Sequence, residues 1–178
     1  MAQRYEVRLS GSGGQGLVLG GVILAEAVAL YGGLTAVQTQ SYGPEARGGA
    51  SKSEVIISDS DIDYPKATSI DLLLTLTQES CEKYSPDLKD GGIILADSRM
   101  VTELPEGDYK VYHLPIIDTA QEKVGKVFVA NIVALGAIAG LIDDVSFESV
   151  EKAVLNRVPK GTEALNKRAL KLGYELVT

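Results

Sequence analysis

A glycine-rich segment near the N-terminus carries the first pattern with chemical meaning. Its six residues match G-x-G-x-x-G: Gly11, Ser12, Gly13, Gly14, Gln15 and Gly16. Glycines at these places permit a tight turn with positive φ, and they bring backbone N–H groups to the start of a helix, where the dipole favours an anion. The motif predicts a site for a phosphate or diphosphate. The alternative is that the glycines only let the helix pack closely against the strand and a partner.

The segment lacks the second half of a dinucleotide site. The dinucleotide-binding form of the motif needs an acidic residue about 20 positions further on, at the end of the second strand, to hold a ribose. Residues 37–41 read Val-Gln-Thr-Gln-Ser, and Glu45 comes only after a Gly-Pro pair. The sequence therefore argues against NAD binding.

A second glycine-rich segment, S-Y-G-P-E-A-R-G-G, spans residues 41–49. Its Arg47 is suited to gripping a carboxylate or phosphate with two hydrogen bonds, and its Tyr42 offers an aromatic face and a hydroxyl. Because loops after parallel strands leave the same edge of a sheet, we expect both glycine-rich segments to be neighbours. The alternative is a surface turn with a local contact between Glu45 and Arg47. Tyr42 and Arg47 join the first loop as candidate ligand-binding or subunit-contact residues.

Catalytic and metal-binding candidates are scarce in this chain. Cys81 is the only cysteine and His113 the only histidine, and neither lies in a glycine-rich segment. An iron–sulfur cluster needs about four ligands, usually thiolates, so a cluster held by this chain alone is excluded. A zinc site is equally disfavoured. No Ser/His/Asp set is present, and we predict no catalytic and no metal-binding residue here.

Composition restricts the class of protein further. The net charge is −7 with no basic run, which argues against binding nucleic acid. The longest apolar stretch, 127–142, is interrupted by Asn131 and is shorter than the ~20 residues of a membrane span. The N-terminus lacks the apolar region of a signal peptide. We predict a soluble, cytoplasmic protein without membrane or nucleic-acid partners.

Elements that alternate between strand and helix must position these loops. Strands are predicted at 4–10, 34–40, 51–58, 70–76, 92–96 and 110–113, and helices at 15–31, 78–84, 128–142, 146–157 and 162–172. The segment 128–142 is apolar on nearly every face, so we expect it to be central. The pattern predicts an α/β fold: a single Rossmann-like three-layer domain over residues 1–178 with a mainly parallel sheet.

The ordered set of motifs resembles the gamma subunit of 2-oxoacid:ferredoxin oxidoreductases. The likeness rests on S-G-S-G-G-Q-G at 10–16, with its characteristic Gln15, and on Y-G-P-E-A-R-G-G at 42–49. It continues in D-L-L-L at 71–74, G-G-I-I at 91–94 and A-N-I-V-A-L-G-A at 130–137. The form of the second loop resembles the 2-oxoglutarate or related 2-ketoacid branch. The homologous subunit of indolepyruvate oxidoreductases is the near alternative.

The resemblance implies a place in a larger enzyme. Complexes of this family oxidatively decarboxylate a 2-oxoacid with thiamine diphosphate, transfer the acyl group to coenzyme A and pass electrons through [4Fe–4S] clusters to ferredoxin. Alpha and beta subunits carry the catalysis and a ferredoxin-like delta subunit carries clusters, so this chain is expected to contribute subunit contacts and coenzyme A binding. We expect the isolated chain to be inactive and to be capable of forming a homodimer. Two other hypotheses stay open: a free-standing Rossmann-like nucleotide-binding protein, and a structural subunit whose glycine loops only pack.

Overall fold

The computed structural model describes residues 4–42 and 49–178, with only the backbone of Tyr42. The strands are β1 (Arg4–Ser12), β2 (Thr35–Tyr42), β3 (Ala50–Ser58), β4 (Ile70–Thr75), β5 (Leu88–Asp97) and β6 (Lys110–Leu114). The helices are α1 (Leu17–Glu26), α2 (Gln78–Tyr84), α3 (Ile116–Asp118), α4 (Ala130–Leu141), α5 (Phe147–Arg157) and α6 (Glu163–Glu175). Every predicted strand and helix is present, with the ends of most shifted by one to four residues.

The strands form one six-stranded sheet in the order β2-β3-β1-β4-β5-β6. Strands β1, β4, β5 and β6 pair in parallel, whereas β3 lies antiparallel between β1 and β2. The predicted mainly parallel sheet is confirmed. Strand β2 lies at the edge of the sheet, next to β3 and not next to β1.

The two faces of the sheet are covered unequally. Val7 and Leu9 of β1 face the larger core, where α1, α4, α5 and α6 pack. The other face has a smaller core, which Cys81 and Tyr84 of α2 share with the irregular segments around Ala67 and Val101. Alternation along each strand sends successive residues to opposite faces, so every strand feeds both cores. The result is the predicted three-layer arrangement, with one thick and one thin helical layer.

A buried arginine fixes the middle of β1 on the thin side. Arg8 is 1% exposed, and its Nε donates to Oε2 of Glu54 at 2.6 Å while its Nη1 donates to Oδ2 of Asp87 at 2.7 Å. Its guanidinium also lies 5.6 Å from the centre of the Tyr84 ring. A buried charge is tolerated only when it is paired in this way. The network ties β1, β3 and the end of α2 together below the glycine loop.

Helix α4 is as central as its sequence predicts, because residues from Ala130 to Ala139 are all buried. The expected start of this helix at 128 is wrong, however. Val127–Val129 forms a 3₁₀ turn that leaves Val127 52% and Phe128 65% exposed. The helix α3 and the π-helical turn after it, Thr119–Val124, were not foreseen. Within the described residues, no helix is both long and apolar enough to cross a membrane.

Candidate functional site

The glycine loop joins the end of β1 to the start of α1. Gly14 and Gly16 have φ of 86° and 74°, which is a conformation that side chains with a Cβ rarely adopt. The turn is closed by Gln15, whose side-chain Oε1 accepts from the backbone N–H of Ser12 at 2.8 Å. The predicted tight turn with positive φ between a strand and a helix is confirmed. The backbone conformation of the loop by itself therefore favours glycine at positions 14 and 16.

Contacts inside the chain explain why positions 11 and 16 of the loop are glycines. A Cβ at Gly11 would collide with Oε1 of Gln15 and would lie 3.3 Å from Leu17 Cδ1. A Cβ at Gly16 would collide with the side-chain amide of Asn131. Gly11 and Gly16 therefore provide the close packing that the structural hypothesis expected. Gln15 stabilises the turn through the hydrogen bond that its Oε1 accepts from Ser12.

Asn131 is a site residue that the sequence alone did not assign. It is the second residue of α4, and its exposed fraction is 6%. Its Nδ2 donates to the carbonyl oxygen of Gly16 at 3.1 Å, and its Oδ1 accepts from the N–H of Ile132 at 2.9 Å. The signal was present, since Asn131 is the one polar residue in the apolar stretch 127–142. A buried amide in such a stretch needs partners, and the loop carbonyl is one of them.

Gly13 and Gly14 form the open part of the loop. Both are exposed, and a Cβ on either would meet no atom of the described residues within 4 Å. Helix α1 starts behind them without a side-chain cap and without an acidic residue in its first turn. Its first N–H groups are therefore not neutralised from within the helix, which favours an anion at this end. The loop is suited to binding through its backbone and offers no acid–base group of its own.

The position of the loop in the sheet also favours binding. The chain leaves β1 toward the thick face through α1, and it leaves the neighbouring β4 toward the thin face through α2. Such a divergence at the carboxyl ends of two adjacent parallel strands creates a crevice, and ligands of open α/β sheets bind in it. The glycine loop lies at this crevice, beside the turn in which Leu76 donates from its N–H to Ser10 at 3.0 Å.

The second loop leaves the same edge of the sheet. Ser12 at the end of β1 pairs with Ala50, and Tyr42 at the end of β2 pairs with Ser51, so β3 starts between them. The two strand ends are thus about 10 Å apart, the width of two strand spacings. The structure confirms that β1 and β2 end at the same edge of the sheet. Arg47 and the Tyr42 side chain lie outside the described residues, so their part in the site stays a prediction.

This topology weakens the dinucleotide hypothesis further. A ribose-binding carboxylate acts from the end of the strand next to β1. Here the antiparallel β3 occupies that place, and the end of β2 carries Thr39, Gln40 and Ser41. The missing acid noticed in the sequence is therefore accompanied by a strand order unlike that of a dinucleotide-binding sheet.

The single cysteine and histidine lie on other elements than the loop, on α2 and β6. Cys81 is buried in α2 on the thin face, where burial, with a smaller effect of Glu82, raises the pKa of its thiol. His113 lies on β6, with Nε2 2.6 Å from the carbonyl oxygen of Val101. In the part of the chain that the structure describes, no three His, Cys, Asp or Glu residues come together as a metal site.

Fold and site together define an α/β subunit domain that presents a backbone-lined glycine loop at the carboxyl edge of its sheet. The chain belongs to the pyruvate ferredoxin/flavodoxin oxidoreductase family, whose model matches residues 6–176. It is 54% identical over 175 residues to the 2-oxoglutarate synthase subunit KorC of Methanocaldococcus jannaschii, covering 97% of this chain and 94% of the relative. The crystal structure of the keto/oxoacid ferredoxin oxidoreductase gamma subunit from Geobacter sulfurreducens matches with a TM-score of 0.92 and 57% identity, covering 99% of this chain and 97% of that one.

These likenesses decide between the hypotheses left open by the sequence. The predicted gamma-type subunit of a 2-oxoacid:ferredoxin oxidoreductase is confirmed, and with it the place of the chain in an oxidoreductase complex. The indolepyruvate alternative is disfavoured, because the indolepyruvate oxidoreductase subunit IorB of Archaeoglobus fulgidus is only 25% identical over 190 residues, covering 96% of this chain and 94% of that subunit. A free-standing nucleotide-binding protein is disfavoured by the same comparisons.

Proposed function

We propose that this chain is the gamma subunit of a complex that oxidises 2-oxoglutarate. The complex decarboxylates 2-oxoglutarate, joins the remaining succinyl group to the thiol of coenzyme A and passes the electrons released to ferredoxin. The observation that carries the choice of substrate is the 54% identity to a 2-oxoglutarate synthase subunit along nearly the full length of both chains. Purification of the complex through this chain, followed by assays on a panel of 2-oxoacids, tests it.

The redox and carbanion chemistry belongs, in this proposal, to other subunits. Thiamine diphosphate is assigned to alpha and beta subunits, and [4Fe–4S] clusters to a ferredoxin-like delta subunit. The cysteine content of this chain supports the assignment. Cys81 is its single thiol and is buried in α2, whereas a cluster needs roughly four ligands. We assign the complex to the cytoplasm, where a reduced lone cysteine is expected.

The glycine loop is proposed as the place where this chain touches coenzyme A and the catalytic subunits. Gly13 and Gly14 expose their backbone beside the uncapped start of α1, which is suited to a phosphate group of the coenzyme. Tyr42 and Arg47 are assigned to the same surface because β2 ends at the same edge as β1. Arg47 would add a charge-assisted hydrogen bond.

The structure suggests a variant that separates ligand contact from packing. Gly13 has no positive φ and open space at its Cβ, so Gly13→Leu fills the outer side of the loop without straining the backbone. Ala29→Leu, another addition at an exposed position, is the matched control. Arg47→Ala removes the candidate charge and is expected to weaken coenzyme A binding about 10- to 150-fold, the loss of one charge-assisted hydrogen bond of ~1.5–3 kcal/mol.

The measurement is reconstitution of the complex with each variant, with assembly and the KM for coenzyme A determined separately. A raised KM with normal assembly supports ligand contact at the loop. Reduced assembly, with an unchanged KM for coenzyme A in the complex that does form, assigns the loop to subunit packing. Normal assembly and a normal KM for both Gly13→Leu and Arg47→Ala would remove the glycine loops from the functional surface.

A further inference from the structure

An apolar recess of about 290 Å³ opens close to the glycine loop, on the far side of Asn131. Leu19, in the first turn of α1, forms one wall. Phe128, in the 3₁₀ turn before α4, and Ile132 in α4 form the next. Val158 and Pro159 from the connection between α5 and α6 close the third side. Three separate parts of the chain thus build a concave apolar surface that no described element fills.

The rim of the recess is apolar as well. Of the lining residues, Leu19 is 39% and Phe128 65% exposed, and Val127, which precedes Phe128 in the chain, is 52% exposed. They are three of the eight large apolar side chains that the described residues expose. Single exposed apolar side chains are normal on a protein surface, whereas a cluster around a concave site marks an interaction surface. Phe128 is the strongest of the three, because aromatic residues dominate the energetics of interfaces.

The size and apolar lining of the recess suit a protein side chain better than a small polar ligand. Its polar groups are engaged inside the chain: Asn131 bonds the glycine loop, Thr162 Oγ1 donates to the carbonyl of Pro159 at 2.6 Å, and Asn166 Nδ2 donates to the carbonyl of Thr162 at 3.0 Å. Small-molecule sites have roughly 300–1,000 Å³ and several convergent polar groups. This recess lies at the lower limit of that range and presents mainly hydrocarbon.

The charges beside the recess indicate what surrounds the incoming side chain. Lys126 and Lys160 are exposed next to Val127 and Pro159, and neither forms an ion pair with a described residue. Glu163 is nearby, but its Oε1 accepts from the N–H of Gly161 at 2.5 Å. In a chain of net charge −7, two unpaired lysines beside an apolar recess favour an acidic counterpart.

We propose that the recess receives a large apolar side chain from a catalytic subunit, on a segment that carries carboxylates on either side of it. This inference rests on the proposed function, because it requires that the chain assembles with catalytic subunits. It extends the contact surface from the glycine loop across Asn131 to Phe128. The anchor side chain is packed between Leu19, Phe128 and Pro159, and its neighbouring carboxylates face Lys126 and Lys160.

The test measures binding of the purified chain to the purified catalytic subunits of its complex. Phe128→Ser should weaken binding at least about 30-fold, the factor that corresponds to a hot-spot loss of 2 kcal/mol. Leu30→Ser is the matched control, because Leu30 is also 65% exposed but lies at the end of the π-helical turn after α1. The control should change affinity by no more than about twofold, as expected for an isolated surface substitution.

A second pair of variants tests the charges. Lys126→Glu should slow association at low salt, and the effect should shrink as salt screens the charges. Lys110→Glu, on the edge strand β6, is its control. Thermal unfolding of each variant verifies that the fold is intact, which is expected because all four side chains are exposed.

Each outcome has a distinct meaning. If the wild-type chain does not bind the catalytic subunits, the proposed function fails. If it binds them and Phe128→Ser binds equally tightly, the recess is not a docking site and only this inference fails. If the chain forms a dimer that Phe128→Ser dissociates while binding to the catalytic subunits is unchanged, the occupant is a second copy and the inference is overturned.

Discussion

The contact between the glycine loop and α4 predicts that two damaging substitutions partly compensate each other. In Gly16→Ala, a new Cβ enters the space of the Asn131 amide and the backbone keeps a positive φ. In Asn131→Ala, that amide is removed together with its hydrogen bonds to Gly16 and Ile132. The double substitution removes the atoms that collide, so it should cost less than the sum of the single changes.

The magnitudes follow from these contacts. A left-handed conformation costs a residue with a Cβ about 1–2 kcal/mol. Expelling the Asn131 amide forfeits two hydrogen bonds of about 1 kcal/mol each. Gly16→Ala should therefore cost about 3 kcal/mol and Asn131→Ala about 2 kcal/mol. In the double variant the hydrogen bonds are lost only once, which leaves a cost of about 3 instead of 5 kcal/mol. The expected coupling is about 2 kcal/mol.

Two other glycines serve as controls. Gly14 also has a positive φ, but a Cβ there meets nothing within 4 Å, so Gly14→Ala should cost only the ~1–2 kcal/mol of backbone strain and should add to Asn131→Ala. Gly13→Ala should change stability little or raise it slightly, because it restricts the unfolded chain without strain. Urea unfolding at 25 °C measures each free energy of unfolding, with the m-value as the test that the unfolded state is unchanged. Additivity of Gly16→Ala and Asn131→Ala within about 0.5 kcal/mol would refute the proposed packing.

Further predictions concern cofactors and ionisation. The chain alone should show no 2-oxoacid oxidation with thiamine diphosphate, coenzyme A and an electron acceptor, and calorimetry should find no NAD binding at or below a Kd of about 1 μM (~8 kcal/mol). The Cys81 thiol, whose pKa burial raises, should resist alkylation at pH 8 until urea unfolds the chain; rapid labelling of the folded chain would contradict its burial. Burial, with Asp71 and Asp143, raises the pKa of Tyr5 from 10.0 to about 12, so the unfolded chain releases this proton first and stability should fall between pH 10 and 12. In Tyr5→Phe that fall should be smaller, and an unchanged alkaline profile would count against the shift.

Local signals in the sequence were sufficient to predict the elements. The helix predicted at 78–84 has the bounds that the structure shows, and the one predicted at 146–157 starts one residue later, after its Ser146 cap. The glycine loop was predicted with its turn and its place between β1 and α1. Each of these features depends on residues close together in the chain, so a local sequence pattern is enough to predict it.

Features that depend on distant residues were not predictable in the same way. The insertion of β3 between β1 and β2 is decided by pairing over the whole sheet, and the sequence made no prediction of this strand order. The bond from Asn131 to Gly16 joins residues 115 positions apart. The exposure of Phe128 follows from the 3₁₀ turn that directs it away from the core, although its apolar surroundings in sequence suggested burial.

The role of this chain as a gamma subunit is tested most directly by native mass spectrometry of the complex purified through it, combined with ferredoxin reduction on a panel of 2-oxoacids. We expect alpha, beta and delta subunits to accompany the chain, and 2-oxoglutarate with coenzyme A to be the preferred substrate pair. We expect no turnover once this chain has been separated from them. Turnover by the isolated chain, or a complex that prefers indolepyruvate or pyruvate over 2-oxoglutarate, would refute that role.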